Sequence, residues 1–328
     1  MRRLLNTLLF LILFLQVNLY AQKKDILVIE SYHHEYIWST NYRNAIKEKL
    51  GSQYNLSFFY MDTKRLPISK HEESAQKAWS IYKELNPELV ILGDDNALKF
   101  LGPKLAKTKT NVVYLGINNN PRKYFNFTPT KNITGVLERP LLRRSIFYVK
   151  ELLDVKKVLL LFDAGISSQV IFKEIFRNKS KLVLRDVEVD VLLIEQFDMW
   201  KKSILDAKKN NYDVIVFSSY HTIKDQNKKH VSPARIWEWT SKNITVPPFA
   251  FWNFAVGENK AIGGYVISGR EQGIEASKLA LKILEDKNYI IGFPSVVENG
   301  YLLFSRSQLK KWGISLKKLD TQKIKFVK

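Results

Sequence analysis

Runs of apolar, largely β-branched residues recur along this chain at intervals filled by amphipathic helical patterns, and that alternation restricts the fold more than any other feature. "DILVIES" (25–31) precedes "TNYRNAIKEKL", where Tyr42, Ala45, Ile46 and Leu50 share one helical face, with Ser39 available as N-cap and Gly51 as the stop. "LSFFY" (56–60), "ELVILG" (88–93), "NVVYLG" (111–116) and "NITGVLE" (132–138) continue the series. Between them stand a capping box at Ser69 and Glu72, whose helix must end before Pro87, and a short helix from near Asn96. Strands that are apolar throughout, joined by helical crossovers, make parallel sheets covered on both faces. The expected class is α/β.

The rhythm then restarts. A helix over about 141–153 leads into "KKVLLLFD" (156–163), followed by "VEVDVLLIE" (187–195), "YDVIVFSS" (212–219) and "VPPFAFW" (246–252). Helices opened at Ser167 or Ser168, at Asp198 and at Ser232-Pro233 separate these strands. Two such series predict two doubly wound, Rossmann-like lobes. "AIGGYVIS" (261–268), a helix over 270–286 and "SVVENGYLLF" (295–304) are left over, so the chain is expected to cross between lobes more than once. One lobe would take 22–138 with about 253–292, the other 139–252 with about 293–328.

Residues 1–21 read as a secretory leader: Arg2 and Arg3, an apolar run from Leu8 to Leu15, and Ala21 at the exit before Gln22. Left uncleaved, the same segment would serve as an N-terminal anchor. The absence of cysteine excludes disulfides, thiolate metal sites, a Cys nucleophile and a lipid on an N-terminal Cys. Net charge is +20, and loss of Arg2 and Arg3 lowers it by two. The lysines are spread over helix faces ("AIKEKL", "LDAKKNN", "SLKKLDTQKIK") rather than gathered in a stripe, so they read as a solvated surface and not as a nucleic-acid footprint.

In open parallel α/β sheets, ligands bind outside the carboxyl ends of the strands. Those ends carry Ser31, Tyr32 and Trp38 of "ESYHHEYIW", then Asp94, Asp95 and Asn96, Asn118 of "GINNN", and Glu138. The second series offers Asp163, Ser167 and Ser168, then Ser219 and Tyr220, and Trp252. Carboxylates and amides there can take an ammonium or hydroxyls, and serines at a helix start can take an anion. The aromatic rings can stack on a flat apolar portion of a ligand. Catalytic signatures are missing: there is no G-x-S-x-G elbow, P-loop, G-x-G-x-x-G or H-E-x-x-H, and no nucleophile stands out among Glu30, Asp163 and their neighbours. A zinc site from His33, His34, His221 and His230 is the weaker alternative to a polar rim. The reading is a binding protein, not an enzyme, with no cofactor and no metal.

"DILVIESYHHEYIWSTNYRNAI", "ILGDDNALKFL", "VVYLGINNN", "NITGVLE" and "WGISLKKL" resemble the substrate-binding proteins of ABC-type importers with the type I periplasmic-binding fold. The resembling branch also occurs as extracytoplasmic input domains of sensor kinases, and the likeness runs from about Asp25 to Leu319. It implies two lobes joined by three crossovers, with a ligand bound between them and hinge closure around it; the rim chemistry above fits a small polar organic, amino-acid-like molecule. It implies Ser31, Tyr32, Asp94 to Asn96, Asn118 and Glu138 on one side of the cleft, and Asp163, Ser167, Ser219 and Trp252 on the other or at the hinge. The implied partner is an ABC permease or, for a sensor, a membrane histidine kinase on a separate chain. A monomer in a Gram-negative periplasm is expected.

Overall fold

The computed structural model describes residues 23–125, 131–286, 288–297 and 300–327, so the expected leader lies outside the described residues. β1 (Asp25–Glu30), β3 (Leu89–Gly93) and β4 (Asn111–Ile117) are apolar at almost every position because both faces of their sheet are covered. Alternate residues serve alternate faces. Leu27, Ile29, Val90 and Leu92 pack with α2 (His71–Leu85) and α3 (Asp94–Leu105). Ile26, Val28, Leu89 and Ile91 pack towards α1 (Ile37–Leu50) and α8 (Gly269–Glu285). β2 (Asn55–Tyr60), β5 (Ile133–Leu137) and β12 (Ser295–Val296) complete a parallel sheet in the order β2-β1-β3-β4-β5-β12.

The second lobe is built on β6 (Lys157–Asp163), β7 (Lys181–Leu184), β8 (Val187–Ile194), β9 (Val214–Phe217) and β10 (Pro248–Ala250), in the order β10-β9-β6-β8-β7. β7 alone in this sheet runs antiparallel, against β8. α4 (Leu142–Leu153), α5 (Ile166–Glu174), α6 (Phe197–Leu205) and α7 (Pro233–Asn243) alternate with these strands. Trp200, Phe217 and Trp237 cluster beneath them, with the Trp200 indole donating to Thr240 Oγ1 at 3.0 Å. β11 (Gly263–Val266), β13 (Tyr301–Ser305) and β14 (Ile324–Val327) form a third, small sheet, with α9 (Arg306–Trp312) between the last two. That sheet is fastened to the second lobe: Ile262 N–H donates to the Pro248 carbonyl at 2.7 Å and the Ser145 hydroxyl to the Tyr265 carbonyl at 2.6 Å.

Several local expectations differ from the structure. "SVVENGYLLF" is not one strand: Ser295–Val296 extends the first sheet and Tyr301–Ser305 joins the third. The chain therefore stays with the first sheet past the expected return at about 293, and β11, inside the expected 253–292 segment, pairs outside it. Ser39 does not cap α1, which starts at Ile37. Ser69 lies in a 3₁₀ turn before α2, and no capping box forms. Ser167, Ser168 and Asp198 fall inside first turns rather than at caps. The helix placed near Asn96 starts at Asp94 and runs for 12 residues. There the first-turn N–H of Ala97 is satisfied from another segment, by Ser31 Oγ at 2.8 Å, so no local cap is needed. Ser232 does cap α7, accepting from Arg235 N–H at 3.3 Å.

α8 returns from the second series to lie against α1, and the contact depends on Gly273. A Cβ there would sit 2.5 Å from the Tyr42 carbonyl oxygen and 2.8 Å from its Cα. Backbone cannot yield as a side chain can, so Gly273→Val is expected to destabilise the protein by about 1–3 kcal/mol. Gly292→Val, where nothing lies within 4 Å, should leave the denaturant midpoint unchanged. Urea unfolding of the two variants checks the pair.

Candidate functional site

The carboxyl ends of the parallel strands in both sheets face each other, and a small cavity of about 30 Å³ lies between them. From the first lobe, Tyr32, Tyr36, Trp38, Lys64, Asp94 and Asn118 line it, with Glu138 where β5 leaves the sheet. From the other side come Ser167, Ser168, Ile171 and Ser219, and from the segment after β10 come Trp252 and Phe254. The lobes touch across it: the hydroxyls of Tyr32 and Ser167 share a hydrogen bond of 2.9 Å.

Each carboxylate is held differently. Asp94 has left-handed backbone (φ +68°) at the first residue of α3, and accepts from Trp38 Nε1 at 2.9 Å and the Tyr42 hydroxyl at 3.3 Å. Gly116 leaves room for it, since a Cβ there would stand 2.8 Å from Asp94 Oδ1 on a backbone of φ +69°. Burial, reinforced by Glu138 and Asp95, pushes the Asp94 carboxyl well above the usual carboxylate range. Glu138 accepts from Trp252 Nε1 at 3.0 Å and Asn118 Nδ2 at 2.9 Å, yet burial pushes its carboxyl up to about 7. Asp163 is likewise pushed up by burial, but Lys64 and the hydroxyls of Ser168 and Ser219 outweigh this and hold it below its ordinary value. Its oxygens accept from those hydroxyls at 2.7 and 2.8 Å and from the N–H groups of Gly165 and Thr222.

Lys64 is the only cationic side chain among the residues lining the cavity. Its Nζ stands 4.5 Å from the centre of the Tyr32 ring and 5.0 Å from that of Tyr36. Burial lowers its pKa, against the pull of Asp163, Asp94 and Glu138. The loop that carries it is fixed from below: Ser31 Oγ donates to the Gly93 carbonyl at 2.6 Å, Thr63 Oγ1 to the Ser31 carbonyl at 2.7 Å, and Asn96 Nδ2 to Thr63 Oγ1 at 2.8 Å.

Of the residues singled out from sequence, Tyr32, Trp38, Asp94, Asn118, Glu138, Ser167, Ser168, Ser219 and Trp252 thus meet at one cavity. Ser31, Asp95, Asn96, Asp163 and Tyr220 do not line it. Ser31 and Asn96 brace the Lys64 loop, and Asp163 lies beneath the two serines. Asp95 is spent on its own neighbourhood, accepting from the N–H groups of Asn118 and Asn119 and from Tyr124. Tyr220 stacks on His221 at 4.3 Å, in an aromatic cluster with Tyr36 and Phe254. Glu30 is fully buried in a two-bond pair with Arg43 (2.7 and 2.8 Å). The four histidines do not converge, and among the described residues no group of three or more His, Cys, Asp or Glu could hold a metal ion. Tyr36, Lys64, Ile171 and Phe254 escaped sequence reasoning. Tyr36 lay inside the quoted rim segment, whereas nothing distinguished Lys64 from the other loop lysines.

Solved structures align with nearly the whole chain. A domain from Streptococcus pneumonia described as an ABC domain in complex with L-Trp aligns at TM-score 0.66 and 14% identity, covering 94% of this chain and 100% of that one. A conserved domain protein from Vibrio cholerae aligns at 0.69 and 16%, over 94% and 100%. The ligand-free, open form of CD0873, a substrate binding protein with adhesive properties from Clostridium difficile, aligns at 0.64 and 13%, over 93% and 99%. The fold is that of the type I periplasmic binding proteins. No family model matches the chain, and no curated protein matches it by sequence. Regulators of the LacI family align less well, one at TM-score 0.52 over 85% of the chain. Among the described residues no helix is long and apolar enough to cross a membrane. The cavity lies between the two lobes, and Glu138 with Trp252 sits where the chain passes from one to the other.

Glu138 makes the closed form sensitive to pH. Folded, its carboxyl keeps a proton up to about pH 7; unfolded, it ionises near 4.5. The folded chain holds the extra proton across that window, so the stabilisation is complete below pH 4.5 and lost as pH rises to about 7. The total is about 3 kcal/mol. Glu138→Gln keeps the shape, and the Asn118 amide can turn to meet it because its own Oδ1 is unpartnered among the described residues. Thermal melts from pH 4.5 to 7.5 should fall more steeply for the wild type than for this variant.

Proposed function

We propose that the protein is an extracytoplasmic solute-binding protein, exported to the periplasm, that captures a small amino-acid-like molecule between its lobes and delivers it to an ABC importer. The observation that carries this reading is the cavity itself: acids, amides and serine hydroxyls beside aromatic rings, drawn from both lobes and joined by the Tyr32–Ser167 bond. At about 30 Å³ it has room for a water or two, so an organic ligand requires the lobes to part and reclose around it. The closed form would then present a permease with a surface that the open form lacks.

Chemistry assigns the ends of the ligand. Its ammonium belongs at Asp94 and Glu138, whose carboxyls are pushed up by burial, with Glu138 adding to the rise at Asp94 and Asp95 to that at Glu138, and which a cation would return to the ionised state. Its carboxylate belongs at the first turn of α5 beside Ser167, and its side chain against Trp38, Trp252 and Phe254. L-Tryptophan, bound by the Streptococcus pneumonia domain, is the natural first probe.

Asp94→Asn tests the assignment. Asn tolerates the left-handed backbone and can still accept from Trp38, but it carries no charge. Calorimetric titration with L-tryptophan, within a panel of the common amino acids, should show at least a roughly tenfold loss of affinity in this variant. The melting temperature of the ligand-free variant should equal or exceed that of the wild type, because a buried acid has been removed. No heat from any panel member with the wild type would refute the reading.

A further inference from the structure

Lys64 stands out because a flexible, charged side chain is placed where a ligand would be held. It springs from the loop between β2 and α2, and three features fix that loop. Asp62 adopts a left-handed backbone at φ +55°. The Asp62 carboxylate binds Arg65 through two hydrogen bonds of 2.7 and 2.9 Å. Asn96 and Ser31 tie down Thr63. The ammonium then enters the cleft against the faces of Tyr32 and Tyr36, which meet edge to face with centroids 4.9 Å apart. Among the described residues it makes no hydrogen bond and no ion pair within 4.0 Å. Asp163, Asp94 and Glu138 act on it through space.

An ammonium against aromatic faces with carboxylates behind them is the standard arrangement for recognising an organic cation. Here the protein supplies the cation itself. Lys64 also borders a second space, an outer groove of about 520 Å³ between the lobes that runs past Arg65, Pro67, Gly165, Thr222 and His230. It therefore forms the wall between groove and inner cavity, and the groove offers its side chain somewhere to go.

We infer that the Tyr32–Tyr36 pair is an ammonium site which Lys64 fills as a tethered competitor, and that a ligand carrying an ammonium group binds by pushing the Lys64 side chain out into the outer groove. This deepens the binding reading above by making a cationic nitrogen the feature selected. Lys64 then sets specificity as a competitor: neutral and purely anionic molecules leave its ammonium in place and gain no entry.

The ammonium site can be tested without knowing the ligand. Lys64→Ala leaves the ring pair and the three carboxylates without their cation, and n-butylammonium chloride supplies the missing head on a stem one carbon longer than the one removed. Its melting temperature should rise saturably with butylammonium, by roughly 3 °C at ten times the dissociation constant. Butan-1-ol and sodium chloride at matched concentrations should do nothing, and butylammonium should not shift the wild type. An equal shift in the wild type, or none in Lys64→Ala, overturns the inference.

Displacement is read on the wild-type chain, which also covers failure of the variant to fold. Under trace acetylation followed by peptide mass spectrometry, Lys64 should be among the slowest lysines to react in the free protein. Saturating L-tryptophan should make it at least about threefold faster relative to the surface lysines, as expected when a contact of this strength is exchanged. Slower acetylation with L-tryptophan bound would mean that the ligand recruits Lys64, and would overturn displacement. If no amino acid of the panel gives heat, the amino-acid reading falls, and the butylammonium experiment alone decides the ammonium site.

Discussion

Closing two lobes over charged groups is costly, and the structure is organised around that cost. Asp94, Glu138 and Asp163 leave water together with Lys64 half-buried beside them, and an isolated charge could not do so. Asp163 is given four donors and stays ionised. Glu138 is given two and rises to about 7. Asp94 also rises well above its ordinary value, and Lys64 finds ring faces instead of an oxygen. A cleft tuned this way leaves its acids only partly compensated, and the proposed ammonium ligand would complete them.

Residues that do not reach the cavity explain why the poise holds. Ser31 ties the end of β1 to Gly93 and serves as the cap that α3 lacks locally. Asp95 pins the loop after β4, and Asn96 holds Thr63 beside Lys64. Local sequence, strand order and site chemistry are thus joined by a few short buried hydrogen bonds. Side chains that look like ligand contacts by position turn out to aim the ones that line the cavity.

The two-lobe α/β fold was legible because buried parallel strands impose long apolar runs, and β1, β3, β4 and β6 carry them plainly. The rim was legible too, since strand ends in such sheets are its place by rule. Other features had no local signal. The β7–β8 hairpin turns on Arg185 and Asp186, both at positive φ (48° and 67°), where sequence reasoning looks for Asn-Gly. The start of α5 was misread because its first-turn serines bond elsewhere, Ser168 to the carboxylate of Asp163 five residues back and Ser167 to Tyr32 of the other lobe. Lys64 was invisible because a loop lysine in a chain of net charge +20 reads as solvated surface. "ESYHHEYIWS" proved informative through its tyrosines: Tyr32 and Tyr36 hold the cation, while its two histidines face Asp62 and Tyr60.

The central claim is that the cleft between the lobes selects a small molecule through a cationic nitrogen. Its most direct test is mass spectrometry of whatever copurifies with the native protein under mild conditions, released by denaturation. The expected result is a stoichiometric small molecule bearing a primary or quaternary ammonium. A stoichiometric sugar or simple anion, with no cationic nitrogen, would contradict the claim.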